Sequence, residues 1–184
     1  NRISKENHML SKISKKDCSI LYAIKKNIRK PSLNKVMITV TKIGNGGAIW
    51  LFIGSLMLFS KKYKHYGRML SATTLIDSFI VNFIFKNIIR RPRPFITYPE
   101  ETLMIRKPIG YSFPSGHALT SFAATTILIS ANKAFGIGAI PLATIISFSR
   151  MYLFVHYPSD VLVGTLLGIG SGLVSCKIQD TSQR

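Results

Sequence analysis

The sequence predicts an all-α protein: a helical membrane bundle of about five transmembrane helices, preceded by N-terminal amphipathic interfacial helices. Two observations lead there. The 184-residue chain is 47% hydrophobic yet carries a formal net charge of +18 at pH 7, a combination that does not fit an ordinary soluble globule. Its charges are also segregated. Gly44–Ser60, Ala118–Asn132, Ala134–Ser149 and Val161–Cys176 contain none, and Met69–Phe85 contains only Asp77. These runs are 15 to 17 residues long, slightly under the roughly 20 that cross a bilayer core, which leaves buried helices of a soluble all-α protein as the alternative. None shows the polar stripe of a half-buried helix, so the membrane reading is preferred. An anionic membrane surface or a phosphorylated substrate fits the basic balance better than nucleic acid, because the cations sit between apolar runs and do not line one long polar face.

Residues 1–43 form a basic amphipathic N-terminal segment, and 44–178 the transmembrane core of a single domain spanning 1–184. The first 16 residues are polar and are expected to fray. Asp17 is expected to cap a helix running to Asn27, with Ile20, Leu21, Ile24 and Ile28 on one face, and Pro31 ends it. Leu33, Val36, Met37, Val40 and Ile43 repeat the pattern. Both segments suit helices lying in the membrane interface or packed on the body. Asn45-Gly46-Gly47 breaks the chain before the first apolar run. Ser60–Arg68 is a short basic turn, and Lys133 marks a tight hairpin. Lys86–Gly116 is a long connection holding five of the eight prolines, and connections of that length are commonly functional. Cys18 and Cys176 form neither a disulfide framework nor a metal-ligand spacing. No cleavable signal peptide is visible, and the missing Met at Asn1 suggests a start further upstream.

Alternating spans place the Lys86–Gly116 and Arg150–Asp160 connections on one face together with the N-terminus, and three reactive stretches collect there. Lys86 and Arg93 are seven residues apart, near two helical turns. They suit phosphoryl binding as a point charge and a planar fork, or else anchor a helix end to headgroups. Pro114-Ser115-Gly116-His117 opens an apolar run: either an ordinary cap with a packed histidine, or a helix N-terminus presenting free N–H groups to an anion. In the third stretch Arg150 stands at a span end. His156 lies four residues before Asp160, so the carboxylate reaches the imidazole if the intervening turn is helical. That arrangement fixes a tautomer for nucleophilic attack, although structural His–Asp pairs are also common. Together the stretches supply the parts phosphoryl transfer needs.

The three stretches resemble the type 2 phosphatidic acid phosphatase family, whose tripartite pattern is Lys-x6-Arg-Pro, Pro-Ser-Gly-His and Ser-Arg-x5-His-x3-Asp. Here it reads Lys86 to Arg93-Pro94, then Pro114 to His117, then Ser149-Arg150 to His156 to Asp160, with every defining position matched. The resemblance implies His156 as a nucleophile forming a phosphohistidine, Asp160 as the residue holding its ring, and His117 as the acid and then base. Lys86, Arg93, Ser115, Gly116 and Arg150 would cradle the phosphoryl oxygens. It implies no cofactor and no metal. It also implies a phosphorylated lipid substrate, with undecaprenyl diphosphate ahead of phosphatidate- or phosphatidylglycerophosphate-type lipids, and a site on the extracytoplasmic face of the cell membrane. Soluble acid phosphatases and vanadate-dependent haloperoxidases share the pattern, and a non-catalytic lipid-binding or transport protein is the third reading. Membrane members typically have six spans, where this chain shows five. The eleven Lys and Arg through Lys42, against four in Ser60–Arg68, would by the positive-inside rule invert the protein; the family's orientation is retained because interfacial helices blur that count.

Overall fold

A computed structural model describes residues 2–182. Regular structure in this range is entirely helical: α1 (Arg2–Asn27), α2 (Pro31–Ile43), a 3₁₀ turn (Asn45–Gly47), α3 (Ala48–Met57), α4 (Lys64–Phe79), a π-helical segment (Ile80–Phe85), α5 (Lys86–Ile89), α6 (Pro94–Thr97), α7 (Gly116–Ala131), α8 (Lys133–Tyr152) and α9 (Pro158–Ser182). Three stretches are long and apolar enough to cross a membrane: Lys64–Thr97, Lys133–Tyr152 and Pro158–Gln179. A fourth is added if α2 and the 3₁₀–α3 segment, bent by 49° at Gly44, form one broken span.

The remaining apolar helix, α7, is shorter because it is the centre of the bundle. It packs against α9, α8 and α4, and its buried positions are largely small residues: Ala118, Ser121, Ala123, Ala124 and Thr125. α9 meets it through Gly164, Gly168 and Gly172, one per helical turn. A Cβ at these positions would stand 2.5 Å from the Ser115 carbonyl, 2.2 Å from that of Leu119 and 2.6 Å from Thr126 Cβ. With no hydrophobic drive between helices in lipid, such close backbone approach is what holds a span pair together. Trp50 is a packing residue, buried with its indole N–H donating to Ser121 Oγ at 3.0 Å. Asp77 accepts from Ser171 Oγ of α9 at 2.8 Å, pairing neighbouring helices. The outer surface of the bundle is apolar: Phe52, Leu75, Phe79, Ile137, Leu162, Leu166 and Leu173 are all exposed, as expected of a lipid-facing exterior.

The N-terminal helices depart from expectation in two linked respects, the first being that residues 2–16, expected to fray, are helical and continuous with the rest of α1. Asp17 is no N-cap, because α1 begins at Arg2, fifteen residues earlier. A carboxylate suits a helix start only where no stronger partner competes, and here its side chain is drawn to Arg91 and Ser159. Both helices dock on the bundle through the stripes read from sequence: Leu21 and Ile24 of α1 are buried, as is Met37 of α2. α1 also ties down the long connection, through Lys25 Nζ–Glu101 (2.6 Å) and Cys18 Sγ with Tyr98 Oη (2.8 Å).

Candidate active site

Six helix ends meet around one cavity: those of α2, α5 and α8 and the starts of α6, α7 and α9. The Lys86–Arg93 stretch does not stay helical, since Pro92 and Pro94 cannot continue it. α5 stops at Ile89, Arg90 turns the chain with φ 50, and Arg93 sits extended just before Pro94. The π-helical segment immediately upstream sets the phase of Lys86, whose ammonium donates to Asn82 Oδ1 at 2.7 Å. Arg93 is buried. Its Nε donates to Gly110 O (2.9 Å), its Nη2 to Ile109 O (3.3 Å) and its Nη1 to Val155 O (3.0 Å). Loop carbonyls thus fix the guanidinium from two sides. Arg150, on the last turn of α8, donates to Thr41 Oγ1 of α2, and its Nε has no partner.

The His156–Asp160 link is not a helical turn. α9 starts only at Pro158, and the backbone N–H of both Val155 and His156 returns to Arg150 O (3.1 and 3.2 Å). The ring nonetheless faces the carboxylate, with Nδ1 3.6 Å from Asp160 Oδ2, longer than a hydrogen bond. The other nitrogen, Nε2, lies 3.2 Å from Arg93 Nη1. A guanidinium has no acceptor, so Nε2 must present its lone pair and the proton belongs on Nδ1, toward Asp160. Burial first, then the charges of Arg93, Arg150 and Lys86, hold the imidazole well below its ordinary pKa range. The ring is therefore neutral, and nucleophilic, at pH 7.

Ser115 and Gly116 start α7, and Ser115 N–H donates to Asp160 O at 3.0 Å, locking the α7 and α9 starts together. His117 Nε2 approaches Thr41 O (3.2 Å) and Asn45 Oδ1 (3.1 Å). The carbonyl can only accept, so Nε2 carries a proton.

These groups surround one cavity of about 500 Å³. Lys86, Arg93, Gly116, His117, Arg150 and His156 line it, while Ser115 and Asp160 stand just behind. Lys42, Arg106 and Lys107 also line it, all exposed. Two buried donors beside it, Ser115 Oγ and Arg150 Nε, have no hydrogen-bond partner. Unpaired buried donors are rare and costly, and an anion with several oxygens would satisfy them. Among the residues whose placement is described, no group of three or more His, Cys, Asp and Glu could hold a metal ion.

Sequence reasoning missed Arg91, Asp17, Thr41 and Asn45. Arg91 lies inside the Arg90–Pro94 run but off the Lys86/Arg93 spacing, and the others sit in helices and a Gly-rich break read as purely structural.

Residues 66–184 match the sequence profile of the PAP2 superfamily. The chain is 34% identical over 155 residues to an undecaprenyl-diphosphatase of Sulfolobus acidocaldarius, covering 82% of this chain and 72% of that one. It is 29% identical over 133 residues to the undecaprenyl-diphosphatase BcrC of Bacillus subtilis, covering 72% and 65%. The crystal structure of a transmembrane PAP2-type phosphatidylglycerolphosphate phosphatase from Bacillus subtilis superposes with a TM-score of 0.76 at 26% identity, over 92% of this chain and 87% of that one.

Proposed function

The chain belongs to the PAP2 superfamily and is a membrane lipid phosphatase, and we propose that it removes the terminal phosphate of a polyprenyl diphosphate, undecaprenyl diphosphate foremost, through a phosphohistidine at His156. In this reading the His156 Nε2 lone pair attacks phosphorus, and the bond from phosphorus to the lipid-side oxygen breaks as the N–P bond forms. His117, protonated on both ring nitrogens once the anionic substrate is bound beside it, delivers its Nε2 proton to that oxygen and is left as the neutral imidazole. A water then attacks the phosphohistidine, returns a proton to His117, and inorganic phosphate leaves. Lys86, Arg93, Arg150, Ser115 Oγ and the Gly116 N–H meet the equatorial oxygens, so the charge is neutralised by side chains. The observation that carries the reading is the convergence on one cavity of His156, whose Nε2 presents its lone pair, with Lys86, Arg93 and the partnerless Arg150 Nε, and with the partnerless Ser115 Oγ just behind Gly116.

A second phosphate needs further cations beyond these three, and Lys42, Arg106 and Lys107 line the same cavity. That supports a diphosphate over a phospholipid monoester, as do the two undecaprenyl-diphosphatase relatives; the phosphatidylglycerolphosphate phosphatase likeness is what favours the alternative. Purified protein in detergent, offered undecaprenyl diphosphate, undecaprenyl phosphate and phosphatidylglycerophosphate, is expected to show its highest kcat/KM on the diphosphate and to keep its rate in EDTA. Comparable turnover of all three would defeat the ranking. No phosphate release from any would favour a non-catalytic lipid-binding protein. The double change Arg106→Ala, Lys107→Ala should raise KM for the diphosphate about tenfold, the equivalent of one lost charge-assisted contact. Turnover of the monophosphate should stay within about twofold.

The membrane arrangement belongs to the same proposal. The 3₁₀–α3 segment, the α4–α5 stretch, α7, α8 and α9 make five crossings of one domain, with α1 and α2 at the interface and the cavity on the extracytoplasmic side. Reporter tags at the two termini should then fall on opposite sides of the membrane, the N-terminal one outside. Tags on the same side would sink the five-crossing count.

A further inference from the structure

Behind the cavity, outside its lining, a chain of ion pairs runs from the N-terminal helix through a half-buried arginine to the buried carboxylate that faces His156. Arg91 is its centre. Its Nη1 lies 2.6 Å from Asp160 Oδ1 and 2.7 Å from Ser159 Oγ, and its Nη2 lies 2.7 Å from Asp17 Oδ2. The guanidinium rests on the Tyr157 ring, 3.9 Å from its centroid. Asp17, from α1, also accepts the Ser159 N–H at 2.9 Å and the Ser159 hydroxyl, so it caps the start of α9 from another helix. With Oδ1 of Asp160 held by Arg91, its Oδ2 accepts the Tyr157 N–H at 2.9 Å and points at His156 Nδ1.

Resting on the active-site reading above, we propose that Arg91, pinned by Asp17, is a positioning residue that fixes Asp160 in the one orientation that holds the His156 tautomer. Removing the guanidinium frees Asp160 to rotate, so the ring loses its director while every phosphate-binding group stays in place. Arg91 does not line the cavity, and the loss must therefore fall on turnover and not on substrate binding. The N-terminal helix, which lies upstream of the family-matched residues 66–184, becomes part of the catalytic support.

The test compares Arg91→Gln, Arg91→Lys, Asp17→Asn and His156→Ala, purified in detergent and checked for monodispersity and melting temperature, with undecaprenyl diphosphate as substrate. Supporting partners of a reactive group typically contribute 10–100-fold, and loss of a triad carboxylate about 10⁴-fold. Arg91→Gln should lower kcat about 10- to 100-fold with KM unchanged within twofold. Arg91→Lys, which can keep one ion pair, should fall between it and wild type, and Asp17→Asn should lose about three- to tenfold in kcat. A kcat within twofold of wild type in Arg91→Gln, or a KM that rises in step with the loss, overturns the proposal. If Arg91→Gln fails to fold, Asp17→Asn decides by the same split. Should His156→Ala retain wild-type turnover, the active-site reading itself fails; an inactive His156→Ala beside a wild-type-like Arg91→Gln sinks only the positioning role.

Discussion

Replacing His156 with alanine is expected to lower turnover by about 10⁴- to 10⁶-fold, the range seen when the nucleophile of a covalent mechanism is removed. Binding of inorganic phosphate should change by no more than a few-fold. The two expectations separate because of how the cations are anchored. Arg93 is held by the carbonyls of Ile109, Gly110 and Val155, and Arg150 by Thr41, so neither depends on the imidazole for its position. Nor should the fold suffer greatly. The ring is fully buried with Nδ1 lacking a hydrogen-bond partner, so the cavity left behind is partly offset by the removal of an unsatisfied polar atom. Substrate labelled in its terminal phosphate should leave an acid-labile, base-stable adduct on the wild type and none on His156→Ala. Residual activity within tenfold of wild type would show that some other group, or water directly, attacks phosphorus, and the phosphohistidine would have to be abandoned.

What the sequence made legible, and what it did not, follows from the range of the interactions involved. The helices announce themselves because the bilayer demands long apolar runs, and the Lys86, Arg93, Arg150, His117 and His156 group because phosphoryl chemistry needs particular side chains at helix ends. Those residues do meet around one cavity. Contacts between segments distant in sequence stayed hidden. Asp17 reads as a cap from its neighbours, yet it bonds Arg91 and Ser159, 74 and 142 residues away. Asn45 reads as part of a chain break, yet the break aims it at His117. The spacing of His156 and Asp160 suggested a helical turn; the pair instead bridges a loop into the start of α9, which is why the separation is 3.6 Å and why a second residue is needed to steer the carboxylate. Nothing local in the sequence distinguishes Arg91 from Arg90, although one is half-buried between two buried carboxylates and the other is exposed, donating to Asn87 O.

A single methyl group at Gly168 should be strongly damaging, although it lies away from the chemistry. Its Cβ would lie 2.2 Å from the Leu119 carbonyl and 3.1 Å from the Ala123 backbone nitrogen. Both are backbone atoms in the central helix, so no side-chain rotation relieves the clash and α9 must move away from α7. Overpacking of this kind costs about 1–3 kcal/mol, which for a chain of this size lowers the melting temperature by roughly 2–12 °C. Gly170, on the same helix, supplies the control: a Cβ there meets nothing within 4 Å, so Gly170→Ala should be neutral or slightly stabilising through the better helix propensity of alanine. Gly164→Ala should behave differently from both. Its Cβ would stand 2.5 Å from the Ser115 carbonyl, at the junction where Ser115 N–H bonds Asp160 O. Displacement there shifts the Ser115–Gly116 turn, proposed above to bind phosphate, against the His156–Asp160 pair, and misplacement by about 1 Å is enough to cost on the order of 100-fold in rate. Thermal melting and kcat measured on the three variants in the same detergent should therefore rank differently, with Gly168→Ala lowest in melting temperature and Gly164→Ala lowest in turnover relative to its stability. If Gly168→Ala melts with Gly170→Ala, the close α7–α9 approach is not what holds the bundle, and the alignment of the two catalytic helix starts must have another cause.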